Sequence, residues 1–282
     1  MISVVVLTRD EEVNLPSCLA SASFSEDVLV VDSGSSDRTV EIALAAGARV
    51  LVRAFDSFAG QRNFAMEQGT LRFRWVLHLD ADEVVTPELL AELRAIARAE
   101  TIEFPVYKVP SRLIFMGHWL RHAGMYPTYQ VRFGRAESLR FVDHGHGQRE
   151  VQSPGEVGTI QEPIEHFNFS KGVNDWFRRH LGYARLEAIE SIRGRQVSSA
   201  MVGLFSRDPT VRRRVLKAQA ARLPARPLLR FFYSYLIRGG FLDGRAGFHY
   251  STMLAVYQYM IDLNLRELAA DAADKNCSGG RS

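Results

Sequence analysis

Ile2–Thr8 reads ISVVVLT, a continuous apolar and largely β-branched run. Such a run suits a strand buried on both faces, as in a parallel sheet with helices on each side. The same design recurs over the next hundred residues. Residues 28–31 form a second apolar run ending at Asp32, residues 49–52 a short third, and residues 75–79 (WVLHL) a fourth ending at Asp80. Helical segments lie between them. Pro16 opens one that runs to about residue 22, and Asp37 can cap one over 38–46 that Gly47 stops. Residues 58–68 carry Phe58, Arg62 and Ala65 at helical spacing, and Thr86-Pro87 opens a helix to about residue 99. Strand and helix alternating in this way predict an α/β sheet with crossover helices. Ligands of such sheets bind beyond the carboxyl ends of the strands. The polar clusters fall there: residues 8–14, 32–37 and 80–83.

From 106 to 167 the pattern changes to short strand-like runs (106–113, 129–133, 160–167) broken by Gly, Pro and His. From residue 172 it is mainly helical, with an apolar stripe of Trp176, Phe177, Leu181, Ala184, Ala188 and Ile192, then helical candidates at 227–238 and 246–268. This predicts a sheet domain over 1–170, a helical extension over 171–268 and a flexible tail over 269–282. Cys18 and Cys277 alone make neither a disulfide framework nor a zinc site, which fits a reducing, cytoplasmic setting. No basic leader precedes the first strand and no 18-residue apolar stretch exists, so neither a secretory signal nor a spanning helix is expected. The net charge of +3 is unevenly spread: residues 176–245 hold 15 Lys/Arg against four Asp/Glu, leaving the remainder acidic. A basic segment of this kind suits an anionic partner.

Four constellations carry chemistry. In Leu79-Asp80-Ala81-Asp82-Glu83, two carboxylates one residue apart in a turn can meet one hard cation, which would bridge phosphate oxygens; they can equally cap the helix that follows. In Asp32-Ser33-Gly34-Ser35-Ser36-Asp37, a strand-end carboxylate can accept from a base or a ribose hydroxyl, or simply cap its loop. Thr8-Arg9-Asp10-Glu11-Glu12 and Gln61-Arg62-Asn63 add a polar strand end and a helix whose Arg62 could reach a phosphate or face solvent.

Taken in order, a strand ending T-R-D-E-E, a strand ending D-S-G-S-S-D-R-T, a Q-R-N helix and a strand ending L-D-A-D-E resemble glycosyltransferase family 2. Ile164-Glu165-His166-Phe167 and the stretch from Gly240 to Phe248 (GFLDGRAGF) look like its bacterial subgroup acting on lipopolysaccharide inner core. The resemblance implies a GT-A fold: a Rossmann-like nucleotide-sugar-binding sheet with helices on both faces, plus the helical C-terminal extension. It implies inverting transfer of a hexose, glucose by preference, from a UDP-sugar, with Mg2+ or Mn2+. It assigns Thr8, Glu11 and Asp32 to the nucleotide pocket, Arg62 to the neighbourhood of the diphosphate, Asp80 to ribose or metal, and Asp82 with His166 to the metal. An inverting transfer needs a carboxylate base. The subgroup's His-Glu pair is missing from Val142-Asp143-His144-Gly145-His146-Gly147-Gln148-Arg149-Glu150, so Glu150 comes first for that role and Asp143 second.

The partners that follow are a UDP-hexose and a lipopolysaccharide-core or other lipid-linked glycan. Arg212, Arg213, Arg214, Lys217, Arg222, Arg226 and Arg230 stand beside an aromatic and aliphatic stretch at 228–236, which suits an anionic membrane interface, here peripheral on the cytoplasmic face of the inner membrane. Without a binding motif, nucleic acid is not expected. Two rivals remain. A sugar nucleotidyltransferase would need a glycine-rich first loop, and residues 8–14 have no glycine. A haloacid-dehalogenase-type phosphohydrolase would use Asp80 as nucleophile, but places such a motif after its first strand.

Overall fold

The computed structural model describes residues 1–101, 103–144, 147–150, 157–197 and 225–278, with the side chains of 143–150, 193–197 and 272–278 left out of the description. The chain forms two compact units, Met1–Gly172 and Val173–Ser282.

The first unit is built on a mixed sheet. Strands β1 (Ile2–Thr8), β2 (Val28–Asp32), β3 (Arg49–Val52) and β4 (Trp75–Asp80) are mutually parallel, in the order β3-β2-β1-β4. The sheet continues through β8 (Thr128–Arg135), antiparallel to β4, then β6 (Val106–Phe115), β12 (Ile164–His166) and β5 (Glu83–Val85). Strands β7 (His118–Trp119) and β11 (Val157–Thr159) pair with β6, while β9 (Phe141–His144) and β10 (Gly147–Glu150) form a separate hairpin.

All seven residues of β1 are buried, and their alternation explains why the run is apolar throughout. Ile2, Val4 and Val6 enter one core with Leu15 and Cys18 of α1 (Leu15–Ser21), Ala43 of α2 (Thr39–Ala45) and Leu89 and Leu93 of α4 (Pro87–Arg98). Val5 and Leu7 enter a second core with Ala59 and Ala65 of α3 (Phe58–Gln68). Helices therefore cover both faces. Thr86 caps α4 as its sequence predicts, accepting from the Leu89 N–H.

Two local readings change. Of the single run expected at 160–167 only Ile164–His166 is a strand, β12; Pro163, which lacks an N–H, stands just before it, and β11 ends at Thr159, ahead of the run. The acidic turn after β4 leads into the short strand β5 before α4 begins, and β5 pairs antiparallel with β12 so that Glu83 lies opposite His166.

The second unit is helical: α5 (Val173–Val197), α6 (Arg226–Phe232) running on into a π turn (Tyr233–Ile237), a 3-10 turn (Gly240–Asp243) and α7 (Gly244–Ser278). Trp176 and His180 of α5 pack against Tyr257 of α7. Gly239 and Gly244 take left-handed φ values of 76° and 63° at the two bends. A Cβ on Gly247 would stand 1.9 Å from the Gly240 carbonyl oxygen, so glycine there lets α7 close against the turn. Helix α7 continues to Ser278, past residue 268 where the sequence reading ended it, through the helix-favouring stretch AADAADK. Arg212, Arg213, Arg214, Lys217 and Arg222 lie outside the described residues. Among the described residues, no helix is long and apolar enough to cross a membrane.

Candidate active site

The parallel register puts Thr8 opposite Asp32 and Leu7 opposite Asp80, so the two strand-end carboxylates flank the tip of β1. Thr8 Oγ1 donates to Asp32 Oδ1 at 3.1 Å. Asp32 is buried, and its remaining capacity goes to its own loop: the Gly34 and Ser35 N–H groups on Oδ2 at 2.9 and 2.8 Å, and the Ser35 hydroxyl on Oδ1. Gly34 holds φ at 82°, a conformation that glycine adopts without strain. That loop is zipped to the one after β1. Asp10 Oδ1 accepts from the Ser36 N–H at 2.7 Å, the Asp10 N–H donates to Ser35 Oγ, and Asp37 accepts from the Glu12 N–H. The two polar motifs thus form one rim.

Glu11 points inward from this rim. Its Oε1 accepts from Lys171 Nζ at 2.5 Å and its Oε2 from Asn14 Nδ2 at 2.7 Å. Burial raises its pKa, and the charge of Asp82 adds to the effect, against the two donors.

The acidic turn is held by arginines. Asp80 Oδ1 accepts from Arg62 Nη2 at 2.7 Å, and its Oδ2 from Arg132 Nη2 at 2.5 Å. Arg132 Nη2 also reaches Glu83 Oε1 at 2.9 Å, while Glu83 Oε2 accepts from the Asp80 N–H. Arg62, Arg132 and Glu83 are all at most 3% exposed. Burial and the adjacent acidic charges push the carboxyls of Asp80 and Glu83 above their ordinary range. Arg62 thus lies beneath the site rather than on a solvated helix face.

Asp82 meets His166, whose Nε2 lies 3.3 Å from Asp82 Oδ2. Burial works against a charged imidazole, but the Asp82 charge and hydrogen bond outweigh it and raise His166 to about 9. The Phe167 N–H donates to the Asp82 carbonyl at 2.8 Å, so β12 is tied to the turn through the main chain as well.

A carboxylate and an imidazole this close fit a divalent cation that takes its other ligands from phosphate oxygens and water. Asp80 is differently placed, since both of its oxygens already bind arginine. Among the described residues no group of three or more His, Cys, Asp or Glu side chains converges as a cation cage.

The two base candidates sit on the β9–β10 hairpin, where Asp143 pairs with Gln148 and Glu150 with Phe141; their side chains lie outside the described residues. The hairpin backbone is docked on α3. Asn63 Nδ2 donates to the Phe141 carbonyl at 2.9 Å, and the Phe141 N–H donates to Asn63 Oδ1 at 3.1 Å. Neighbouring residues of the Q-R-N helix therefore hold Asp80 on one side and the hairpin on the other.

Arg132, Glu83 and Lys171 escaped the sequence reading. Arg132 had a signal: a single Arg between Val131 and Phe133 in a strand is seldom buried without an acidic partner. Glu83 merely followed the two aspartates. Nothing local marked Lys171, which meets Glu11 from 160 positions away.

The family model for glycosyl transferase family 2 matches residues 3–149. An uncharacterized glycosyltransferase of Rickettsia typhi is 31% identical over 118 residues, covering 41% of this chain and 40% of that one. A lipopolysaccharide core biosynthesis glycosyltransferase of Rhizobium meliloti, LpsC, is 28% identical over 166 residues, covering 57% of each. In both cases the match spans under two thirds of the relative's length. Among solved structures, glucosyl-3-phosphoglycerate synthase from Mycobacterium tuberculosis aligns over 67% of this chain and 77% of that one, with 16% identity and a TM-score of 0.46, too distant for any argument to rest on it. With more than half of its length matched by the family model, and its sheet and motif order in agreement, the chain belongs to glycosyl transferase family 2.

Proposed function

We propose that the chain is an inverting hexosyltransferase, moving glucose by preference from UDP-glucose to a hydroxyl of a lipopolysaccharide-core or other lipid-linked glycan at an anionic membrane surface. The observation that carries this reading is the gathering of Thr8, Glu11, Asp32, Asp80, Asp82 and His166 around the tips of β1, β2, β4 and β12. The Rhizobium relative's name supports the choice of acceptor.

Thr8, Glu11 and Asp32 line the nucleotide pocket, with Asp32 shaping the loop that receives the nucleoside. Asp82 and His166 would hold a divalent metal, Mn2+ or Mg2+, with Asp80 fixed behind them by Arg62 and Arg132. When bound, that cation neutralises charge on a departing diphosphate. Glu150, or Asp143 on the facing strand, takes the proton from the acceptor hydroxyl as its oxygen attacks the anomeric carbon opposite the leaving UDP. A phosphohydrolase reading would need Asp80 as a free nucleophile, whereas both of its oxygens are bound by arginine.

The test is thermal stabilisation by UDP-glucose, UDP-galactose and UDP-N-acetylglucosamine with Mn2+, alongside UDP release. Asp82→Ala should lose the Mn2+-dependent stabilisation and UDP release while keeping its circular dichroism. Glu150→Gln should keep UDP binding and lose transfer. A fully active Asp82→Ala chain, or a chain indifferent to the donor, would count against the reading.

A further inference from the structure

Helix α6 and the π turn after it are apolar on both sides. The inner side packs within the helical unit. Phe231 and Tyr235 meet Phe248 of α7 with ring centroids 5.9 and 5.7 Å apart, and Ser234 Oγ lies 2.9 Å from Ser251 Oγ. The outer side runs in two rows with a spacing of four, Leu228-Phe232-Leu236 and Leu229-Tyr233-Ile237, and every one of the six is exposed. Ile237 is 76% exposed, and Leu242 on the following 3-10 turn is 64% exposed beside an exposed Phe241. An exposed apolar surface of this extent marks an interaction site.

Charge decides between occupants. From Ala225 to Ile261, Asp243 is the sole acidic residue against Arg226, Arg230, Arg238 and Arg245. Arg226 is engaged by Asp262 at 2.6 Å, and Arg230, Arg238 and Arg245 are the segment's other cations. Arg245 and His249 also line a cleft of about 520 Å3, walled by Tyr235, Phe241 and Phe248. A second copy of this chain would bring equal positive charge to the same face. An anionic lipid surface brings acyl chains for the rows and phosphates for the arginines.

We propose that the elbow formed by α6, the π turn and the 3-10 turn enters the interface of an anionic bilayer, with Leu236, Ile237, Phe241 and Leu242 among the acyl chains and a lipid phosphate in the Arg245 cleft. This rests on the reading that the acceptor is lipid-linked, and it names the segment that brings the enzyme to it. The elbow lies side-on in the interface and does not span the bilayer.

The experiment is co-sedimentation of the full chain with phosphatidylcholine vesicles, with and without phosphatidylglycerol. Wild type should sediment with the phosphatidylglycerol vesicles, and added salt should weaken this. The double variant Ile237→Asp, Leu242→Asp should bind at least about tenfold more weakly, since each large side chain withdrawn from an apolar phase is worth about that factor or more. Arg245→Glu should weaken binding to phosphatidylglycerol vesicles alone. Equal partitioning of wild type and the double variant overturns the proposal. So does a wild-type dimer in sedimentation velocity that the double variant lacks, with no vesicle binding, which would make a second copy the occupant. UDP-glucose stabilisation with Mn2+ is read on the same samples. It should be equal in wild type and the double variant, and its absence from wild type sinks the transferase reading while vesicle partitioning still judges the elbow.

Discussion

Arg132 holds two carboxylates in a buried place where few alternatives would work. Its Nη2 reaches both Asp80 and Glu83 while Nη1 meets the second Asp80 oxygen at 3.4 Å, a rigid planar fork that a lysine's single ammonium lacks. Removing one partner from a buried ion pair costs about 3–5 kcal/mol, because the other is left desolvated and unpaired. Arg132→Met should therefore destabilise the fold by about that amount in urea unfolding, and Arg132→Lys should recover only part of it. An unchanged midpoint would mean that the carboxylates find other partners. Asp27 makes a similar argument away from the site. Buried at the start of β2, it accepts from Ser3 Oγ at 2.5 Å, the Arg72 N–H at 2.8 Å and Arg49 Nη2 at 2.7 Å. Burial alone would raise its pKa, but these donors together bring it below the ordinary 3.8. A carboxyl depressed in the fold contributes its stability above its unfolded pKa and loses it as pH falls through the lower folded value. Asp27→Asn should thus cost about 2 kcal/mol at pH 7, with the gap to wild type closing in acid below that range. A gap independent of pH would mean that the charge is not what matters there.

Helix α3 joins parts of the first unit that the chain keeps far apart. Through Arg62 it holds Asp80, and through Asn63 it holds the β9–β10 hairpin 78 positions away, with the Arg62 guanidinium 5.8 Å above the Phe141 ring. Asn63→Ala removes both bonds to the Phe141 backbone and leaves the Asp80 contacts in place. If the base lies on that hairpin, turnover should fall about tenfold, the weight of one or two such bonds, while UDP affinity by calorimetry stays within about twofold. A matching loss of UDP affinity would instead give the hairpin a nucleotide-binding role. This arrangement was only half legible in sequence. The helix followed from the spacing of Phe58, Arg62 and Ala65 and from the stop at Gly69, since backbone geometry is local. What Asn63 binds depends on a hairpin that comes later and packs from outside the parallel core.

In the whole molecule, the candidate site belongs to the first unit and the exposed apolar elbow to the second. UDP-glucose with Mn2+ should slow amide exchange in residues 8–14, 32–37 and 80–83, where the strand tips meet, and leave 226–262 unchanged. At a hundred times Kd the bound state gains about 2.7 kcal/mol, ample for detection. Protection confined to the helical unit would move the donor site away from the sheet. The parallel half of this sheet was readable beforehand because a strand buried on both faces must be apolar without interruption, and because helix stops and caps are written in neighbouring residues. The carboxylates at the ends of β2 and β4 followed from the same punctuation, as did the order of motifs that marks the family. Tertiary structure alone decided their partners. Only the β4–β8 pairing brings Arg132 to Asp80 and Glu83, and only the antiparallel β5–β12 register sets His166 against Asp82. The reason is physical: a strand's burial is felt by its own residues, whereas the partner of a buried charge comes from whichever distant segment the completed sheet lays beside it.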